Sequence, residues 1–421
     1  MRLRSYELPT HVGEQVTVAG WIQSIRRLAK VTFVVVRDGW GTIQIVVASE
    51  ARLAPLDGLE LESVVEVTGT VVGEPQLELH APAFAVIAPV TTPVPVLLSK
   101  KQLDVPLPTL LDHGGVTTRH PTRRAVFRTA AAAMRGFRRT LDGLAFTEIQ
   151  SPKLVGGATE GGANVFTVDY FGTPAYLAQS PQLYKQTMVG VYERVYEVGP
   201  VFRAEPHDTA RHINQYTSLD VELGFIASHT DVMAVLVSVL RGMLDEVQAS
   251  CAAELALLGA TLPEVPACVP ELHFIDAQAM LGEAEPDLSP EGERTIGAWA
   301  RDSHASEFVF VVGYPMVKRP FYTHPDPERP AHSRSFDLLF RGTELVTGGQ
   351  RLHRHADYLA ALAARGISAA PLASYLEVFV SGMPPHGGFA IGLERFVMQL
   401  LGLTNIRLAT LFPRDLTRLS P

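Results

Sequence analysis

Cysteine is nearly missing from this chain: Cys251 and Cys268 are the only two in 421 residues. They form no CxxC pair, so neither a disulfide framework nor a thiolate zinc site is expected, and no zinc is assigned. No run of ~18 uninterrupted apolar residues occurs, so no membrane-spanning helix is expected. The opening stretch from Met1 to Gln15 is charged and has no apolar centre, so it does not read as a secretory leader. A reducing cytoplasm is the expected compartment. Lysine is scarce as well. Only six of the 36 basic residues are Lys, the other 30 being Arg, which singles out each Lys for attention. With 44 acidic residues the formal charge is -8, and composition alone does not point to a nucleic-acid partner. What the chain does have is bulk. Its 47% hydrophobic and 19% charged residues describe a globular protein, long enough for two or three domains.

Five runs rich in Val, Ile and aromatics lie between residues 12 and 90: VTVAGWIQSI, VTFVVVRD, GTIQIVVA, VVEVTGTVV and LELHAPAFAVI. Turn residues such as Asp38 to Gly41 separate them, and five short strands in this length suit a small closed barrel of the OB type. Residues 91–120 carry Pro93, Pro95, Pro106, Pro108, Gly114 and Gly115 and read as a hinge or linker. From Thr122, a plausible helix cap, Val126, Ala130, Met134, Phe137 and Leu141 recur at helical spacing. Strands and helices then alternate through 121–421, with a stretch near 251–300 that carries no evident chemistry and reads as a small insertion. The expected class is α+β: a barrel over 1–90, a linker, and a catalytic domain with a mixed, mainly antiparallel sheet flanked by helices.

Four clusters after residue 140 carry the chemistry. The first is Phe146 to Lys153, directly after the long helix. The second runs Phe202-Arg203-Ala204-Glu205, then Arg211-His212, then Ser218 to Glu222. The third is Glu344 to Arg351. The fourth is Gly387 to Arg395, opening an apolar helix. Singly each is weak, since a Phe-Arg-x-Glu run is usually a strand with an ion pair. In this order and at these separations they resemble the three signature motifs of class II aminoacyl-tRNA synthetases. The whole chain is similar to the aspartyl-tRNA synthetases in their shorter, archaeal-type form; the 251–300 stretch is too short for the large domain that the longer bacterial form inserts.

Elementary chemistry agrees with that resemblance. Activation of an amino acid is attack by its own carboxylate on the α-phosphorus of ATP, so no Ser, Cys or His nucleophile is needed. The site must supply positive charge and Mg²⁺. The resemblance assigns Arg203 to the α-phosphate and substrate carboxylate, Glu205 to the adenine, and Arg211 and His212, with Ile213, to the ATP tail and tRNA acceptor end. It assigns Arg395 to the γ-phosphate, with Gly392, Leu393 and Glu394 beside it. Glu344 and Thr347 are the implied Mg²⁺ ligands, Thr347 standing where the family usually has Ser. Lys185 and Arg351 are implied to grip the substrate β-carboxylate, with Gln182, Asp220 and Thr347 around them and Glu160 on the ammonium. Without the resemblance, a solvent-facing helix Lys is the lesser reading of Lys185, and Thr159 to Gly162 reads as an ordinary flexible turn. A homodimer built on the first motif is expected.

The resemblance also makes the barrel the anticodon binder. No Asp or Glu falls between Gln15 and Arg37, whereas Arg26, Arg27, Lys30 and Arg37 do, which suggests a basic groove. Phe33 and Gln44 match positions that stack on and read the middle anticodon base, although alternation alone would put Phe33 in the barrel core. Anticodons for Asp and Asn share two bases and differ at the third. Gln23 stands where strict members of the family carry a restricting Trp, and Pro89 resembles what relaxed members carry. Both tRNA(Asp) and tRNA(Asn) are therefore expected substrates, the mischarged product passing to a tRNA-dependent amidotransferase. The alternatives are a strict tRNA(Asp) enzyme, an Asn or Lys enzyme of the same subclass, a non-catalytic tRNA-binding paralogue, and a free-standing amide synthetase. A lysyl pocket would present carboxylates rather than Lys185 and Arg351, and a non-catalytic paralogue would have eroded motifs.

Overall fold

The computed structural model describes residues 2–157, 164–282 and 284–421, which divide into two compact units, Met1–Pro121 and Thr122–Pro421. In the first, β1 (Gln15–Arg27), β2 (Thr32–Arg37), β3 (Thr42–Val47), β4 (Val64–Val72) and β5 (Glu78–Ala88) form a closed barrel. Neighbours run antiparallel except β3 and β5, which pair parallel, and β1 closes the ring by pairing with both β2 and β4. Alternation decides what faces inward. Val34, Val36, Ile43, Ile45, Val65 and Val67 fill the barrel. Phe33 is on the other face, half-buried, with the Arg26 guanidinium 5.1 Å from its ring centre, so it is not core.

Two expectations for this unit are corrected. Arg37 does not join a basic groove: it is 1% exposed and forms a two-pronged pair with Glu62 at 2.9 and 2.7 Å. A buried guanidinium needs such a partner, and no linear count of charges reveals it. The 91–120 stretch is more than a bare linker. It forms short helices at Leu107–Asp112 and Gly114–Thr117, buries Val96, Leu98, Leu110 and Leu111, and groups with the barrel.

The second unit is built on an eight-stranded sheet. Its long entry helix α1 (Pro121–Gly143) begins at Pro121, one residue before the expected Thr122 cap, because a proline is well suited to a first turn that needs no N–H partner. Val126, Ala130, Phe137 and Leu141 form its buried stripe. Then come β6 (Thr147–Glu148), α2 (Gln182–Tyr192), β7 (Arg194–Phe202), β8 (Gln215–Gly224), α3 (His229–Ser250) and β9 (Glu271–His273). The chain continues through α4 (Pro290–His304), β10 (Phe308–Val312), β11 (Ser335–Phe340), β12 (Thr343–Gln350), β13 (His386–Gly392) and α5 (Leu393–Leu400). The sheet order is β9-β10-β11-β12-β13-β8-β7-β6. The six inner strands are antiparallel and the two edge strands pair parallel. The 251–300 stretch thus contributes an edge strand and α4, whose Ile296 and Ala300 pack with Val309 and Leu339.

Candidate active site

The site lies across β8, β12 and β13. Side chains two apart on a strand share a face, so Tyr216, Ser218, Asp220 and Glu222 form one row along β8. The row leads from an open cleft to buried Asp220 and Glu222. Arg203, Glu205, Arg211, His212 and Ile213 line the cleft from the loop after β7. Glu344, Thr347, Gly392, Glu394 and Arg395 line it from β12, β13 and α5. Leu393 does not line it; its side chain packs in the core, 5% exposed, because α5 turns that face inward. At Gly392 a Cβ would come no closer than 3.8 Å to protein atoms, so the room there opens to the cleft and not to packing.

Charge in the cleft is arranged in facing pairs. Arg203 and Glu205 approach to 3.8 Å, Arg211 and Glu293 to 3.8 Å, and Arg395 and Glu344 to 3.7 Å. Arg203 also stands 5.7 Å from the Tyr216 ring centre. Its backbone is fixed: its N–H donates to Asn214 O at 2.9 Å, and Asn214 Nδ2 donates to its carbonyl at 2.7 Å. The Thr347 hydroxyl donates to Glu344 Oε1 at 3.2 Å, placing two hard oxygens side by side. Burial, with the nearby Glu344 charge, raises the Glu293 carboxyl above its usual range. Among the described residues no group of three or more His, Cys, Asp or Glu forms a closed metal cage.

Beyond the cleft, α2 turns Gln182, Lys185, Gln186 and Val189 to its buried side, the i, i+3, i+4, i+7 spacing of one helix face. Lys185 is therefore not a surface lysine: it is 1% exposed. Its Nζ donates to Asp220 Oδ1 at 3.0 Å and approaches Glu222 Oε2 at 3.4 Å. Arg351 Nε donates to Glu222 Oε1 at 2.9 Å, and its Nη2 to Gly388 O at 3.0 Å and to Gln182 Oε1 at 3.4 Å. The two cations thus share Glu222. Burial pushes the Glu222 carboxyl up, but Arg351 and Lys185 override it and hold the group below its usual value. Gly388 makes the room: a Cβ there would stand 2.2 Å from Glu222 Oε2 and 2.1 Å from Val221 O.

Sequence reasoning missed Glu222 as a pocket residue, and with it the layer behind. Gln186 Nε2 donates to Tyr358 OH at 3.0 Å and meets His386 Nε2 at 2.9 Å, while Tyr375 OH donates to Gln186 Oε1 at 3.0 Å. His386 Nδ1 lies 2.9 Å from Pro384 O. A carbonyl can only accept, so the proton sits on Nδ1 and Nε2 accepts from Gln186. Burial then keeps this imidazole neutral, its pKa lowered to about 4. The unfolded chain takes that proton near 6.5 and the folded one does not, so stability is full at neutral pH and falls as pH drops below 6.5. In urea titrations, His386→Gln should lose less stability than wild type between pH 7.5 and 5, by about 2 kcal/mol. Equal losses would show that His386 is not held neutral.

The remaining expected residues are distributed as follows. Glu160 lies outside the described residues. On the barrel, Gln44 is tied to Glu78, its Nε2 2.7 Å from Oε1. Glu78 also accepts from Gln76 at 2.7 Å and contacts His80 at 2.9 Å, a cluster the sequence did not disclose. Gln23 sits where the β1–β2 register slips, between Ile22 and Ser24. Its Oε1 is shielded and has no protein hydrogen-bond partner. Arg27 is exposed and 3.5 Å from Asp57, and Pro89, just past β5, is exposed.

A barrel of this type in one unit and, in the other, an antiparallel sheet with an arginine-lined cleft together define a class II aminoacyl-tRNA synthetase. A family model described as class II tRNA synthetases (D, K and N) matches residues 108–416, and one described as an OB-fold nucleic acid binding domain matches 16–87. The chain is 46% identical to an aspartate–tRNA(Asp/Asn) ligase of Thermus thermophilus over 100% of both chains. It is 44% identical to one of Deinococcus radiodurans over 100% of this chain and 99% of that one. It is 36% identical to an aspartate–tRNA(Asp) ligase of Picrophilus torridus over 97% of each. The chain belongs to the aspartate–tRNA ligase family. Among solved structures, asparaginyl-tRNA synthetase from Pyrococcus horikoshii complexed with asparaginyl-adenylate superposes with a TM-score of 0.92 at 29% identity, covering 100% of each chain. Backbone shape therefore does not separate aspartyl from asparaginyl enzymes; the charges in the pocket must.

Proposed function

We propose that this protein attaches L-aspartate to tRNA(Asp) and tRNA(Asn) in two steps. An oxygen of the aspartate α-carboxylate attacks the α-phosphorus of ATP, and the bond to pyrophosphate breaks. The 3′-hydroxyl of the terminal adenosine then attacks the aspartyl carbonyl carbon, and AMP leaves. The observation that carries the amino-acid assignment is the buried pair Lys185 and Arg351 at the end of the cleft. A β-carboxylate complements two cations, whereas a neutral amide or an ammonium would not. In the cleft, Arg203 holds the α-phosphate and carboxylate in line, and Arg211, His212 and Arg395 take the polyphosphate. Glu205 orients the adenine. Glu344 and Thr347 offer hard oxygens that suit Mg²⁺, an ion that keeps open positions for water and phosphate oxygens and neutralises phosphate charge when bound.

The barrel suits an anticodon. Phe33 under Arg26 offers a stacking face worth ~1–3 kcal/mol per base. Gln23 carries a flexible amide at the β1–β2 register slip. The differing third bases, C and U, each carry an N–H on the pairing edge, and a glutamine amide offers both an acceptor and donors. One side chain can thus satisfy either base, where a bulky ring would reject one. Asparagine would then be made on the tRNA by an amidotransferase. A homodimer through α1 and the open edge of β6 completes the reading; light scattering giving a mass near 45.8 kDa would refute it. The test of function is ATP–pyrophosphate exchange with Asp, Asn and Lys, followed by aspartylation of the two purified transcripts. Exchange far stronger with aspartate than with Asn or Lys, and comparable charging of both tRNAs, are expected. A ~1,000-fold preference for tRNA(Asp), about 4 kcal/mol, would make the enzyme strict.

A further inference from the structure

The segment between β7 and β8 carries Arg203, Glu205, Arg211 and His212, yet has no helix or strand of its own over 203–214. Ordering such a segment costs roughly 1–2 kcal/mol per residue, so something must hold it. The holder comes from almost 200 residues away. Arg407, on the short turn Ile406–Ala409, is 6% exposed. Its Nη2 donates to Asp208 Oδ1 at 2.6 Å, its Nη1 to Thr209 O at 3.0 Å and its Nε to Asp415 Oδ2 at 2.6 Å. Backbone bonds flank it: Ile406 N–H donates to Ala210 O at 2.8 Å and Asn214 N–H to Arg414 O at 2.7 Å. From Thr209 the connection runs on to the functional side chains. Its hydroxyl accepts from Arg211 N–H at 3.2 Å and contacts His212 Nδ1 at 2.6 Å.

The two arms of Arg407 differ. Asp415 is 7% exposed on its side chain, and accepts from Thr417 and Arg418 N–H at 3.0 and 2.9 Å. Burial alone would push its carboxyl up, but the Arg407 and backbone hydrogen bonds hold it below the usual range. It is a fixed anion that aims the guanidinium. Asp208, at 63% exposed, is the solvent-facing arm.

We propose that Arg407 is a positioning residue for the activation step: clamped by Asp415, it grips Asp208 and Thr209 and so presets Arg211 and His212 for ATP. The inference rests on reading Arg211 and His212 as ATP-tail residues. A planar fork is needed to hold a carboxylate, a carbonyl and a second carboxylate at once, which a lysine cannot do.

The test is Asp208→Asn, which alters the exposed arm and leaves Arg407 clamped to Asp415. Two readouts are taken on the full-length protein. In aspartate-dependent pyrophosphate exchange, the KM for ATP should rise about fivefold or more, roughly 1 kcal/mol, with kcat within about twofold. In substrate-free protein, hydrogen exchange of amides 207–212 should quicken about fivefold or more, while that of β8 is unchanged. Asp208→Glu should restore both, and Arg407→Lys should reproduce the Asn effect. An unchanged KM for ATP, or unchanged exchange in the loop, would overturn the proposal. If wild type shows no aspartate-dependent exchange, the functional reading fails instead, and the substrate-free measurement still decides whether the latch exists.

Discussion

Lys185→Met is expected to reduce aspartate-dependent pyrophosphate exchange by ~1,000-fold or more, about 4 kcal/mol. Three effects add. The substrate β-carboxylate loses a cation that sits 1% exposed, where little water is available to replace it. Asp220 and Glu222, 3.0 and 3.4 Å from the ammonium, lose their counter-charge and repel the incoming carboxylate. Breaking a buried pair by removing one partner also costs about 3–5 kcal/mol in stability. Activity must therefore be compared with folding, by circular dichroism and a thermal melt. The ratio of Asp to Asn activation separates the causes. A merely destabilised enzyme would lose both in proportion, whereas loss of the cation should lower the ratio. Lys185→Glu should be more severe, since it would place a third carboxylate in the same pocket. Wild-type aspartate activation in either folded variant would remove Lys185 from the specificity pocket.

Arg203→Ala should lower kcat for exchange by about 100- to 1,000-fold, roughly 3–4 kcal/mol, the loss seen when one preorganised donor to a developing charge is removed. The fold should survive. The side chain is 40% exposed, and the strand end is held through backbone atoms and Asn214, not through the guanidinium. KM for aspartate should move little, because Lys185 and Arg351 hold its side chain. Arg203→Lys keeps the charge but not the planar fork and should fall between. Pre-steady-state measurement of adenylate formation distinguishes this loss from slow product release. A kcat within threefold of wild type would assign the α-phosphate to another group.

Several features were readable without coordinates because they are local. Hydrophobic alternation gave five barrel strands, and the three-and-four spacing in α1 gave its buried stripe. The Arg203, Glu344 and Arg395 clusters were recognisable as motifs because each is contiguous. Even Lys185 stood out through scarcity, one of six lysines. Phe33 is an instructive case. Alternation alone favoured the core for it, and barrel closure instead put Val34 and Val36 inside and Phe33 on the other face.

Composition and local periodicity by themselves determined an α+β chain of two or three domains with a small barrel of the OB type, and the contiguous motifs, through their resemblance to class II synthetases, implied a phosphate-handling cleft and a cationic amino-acid pocket. Those properties depend on neighbours a few residues apart. Tertiary structure alone decided which charges cancel. It buried Arg37 against Glu62, joined Lys185 and Arg351 through Glu222, backed them with Gln186 and a neutral His386, and tied Asp208 to Asp415 through Arg407. Each of these pairs spans from about ten to some two hundred residues of chain. The strength of a charge depends on what surrounds it and how much water remains, and only the folded chain sets both.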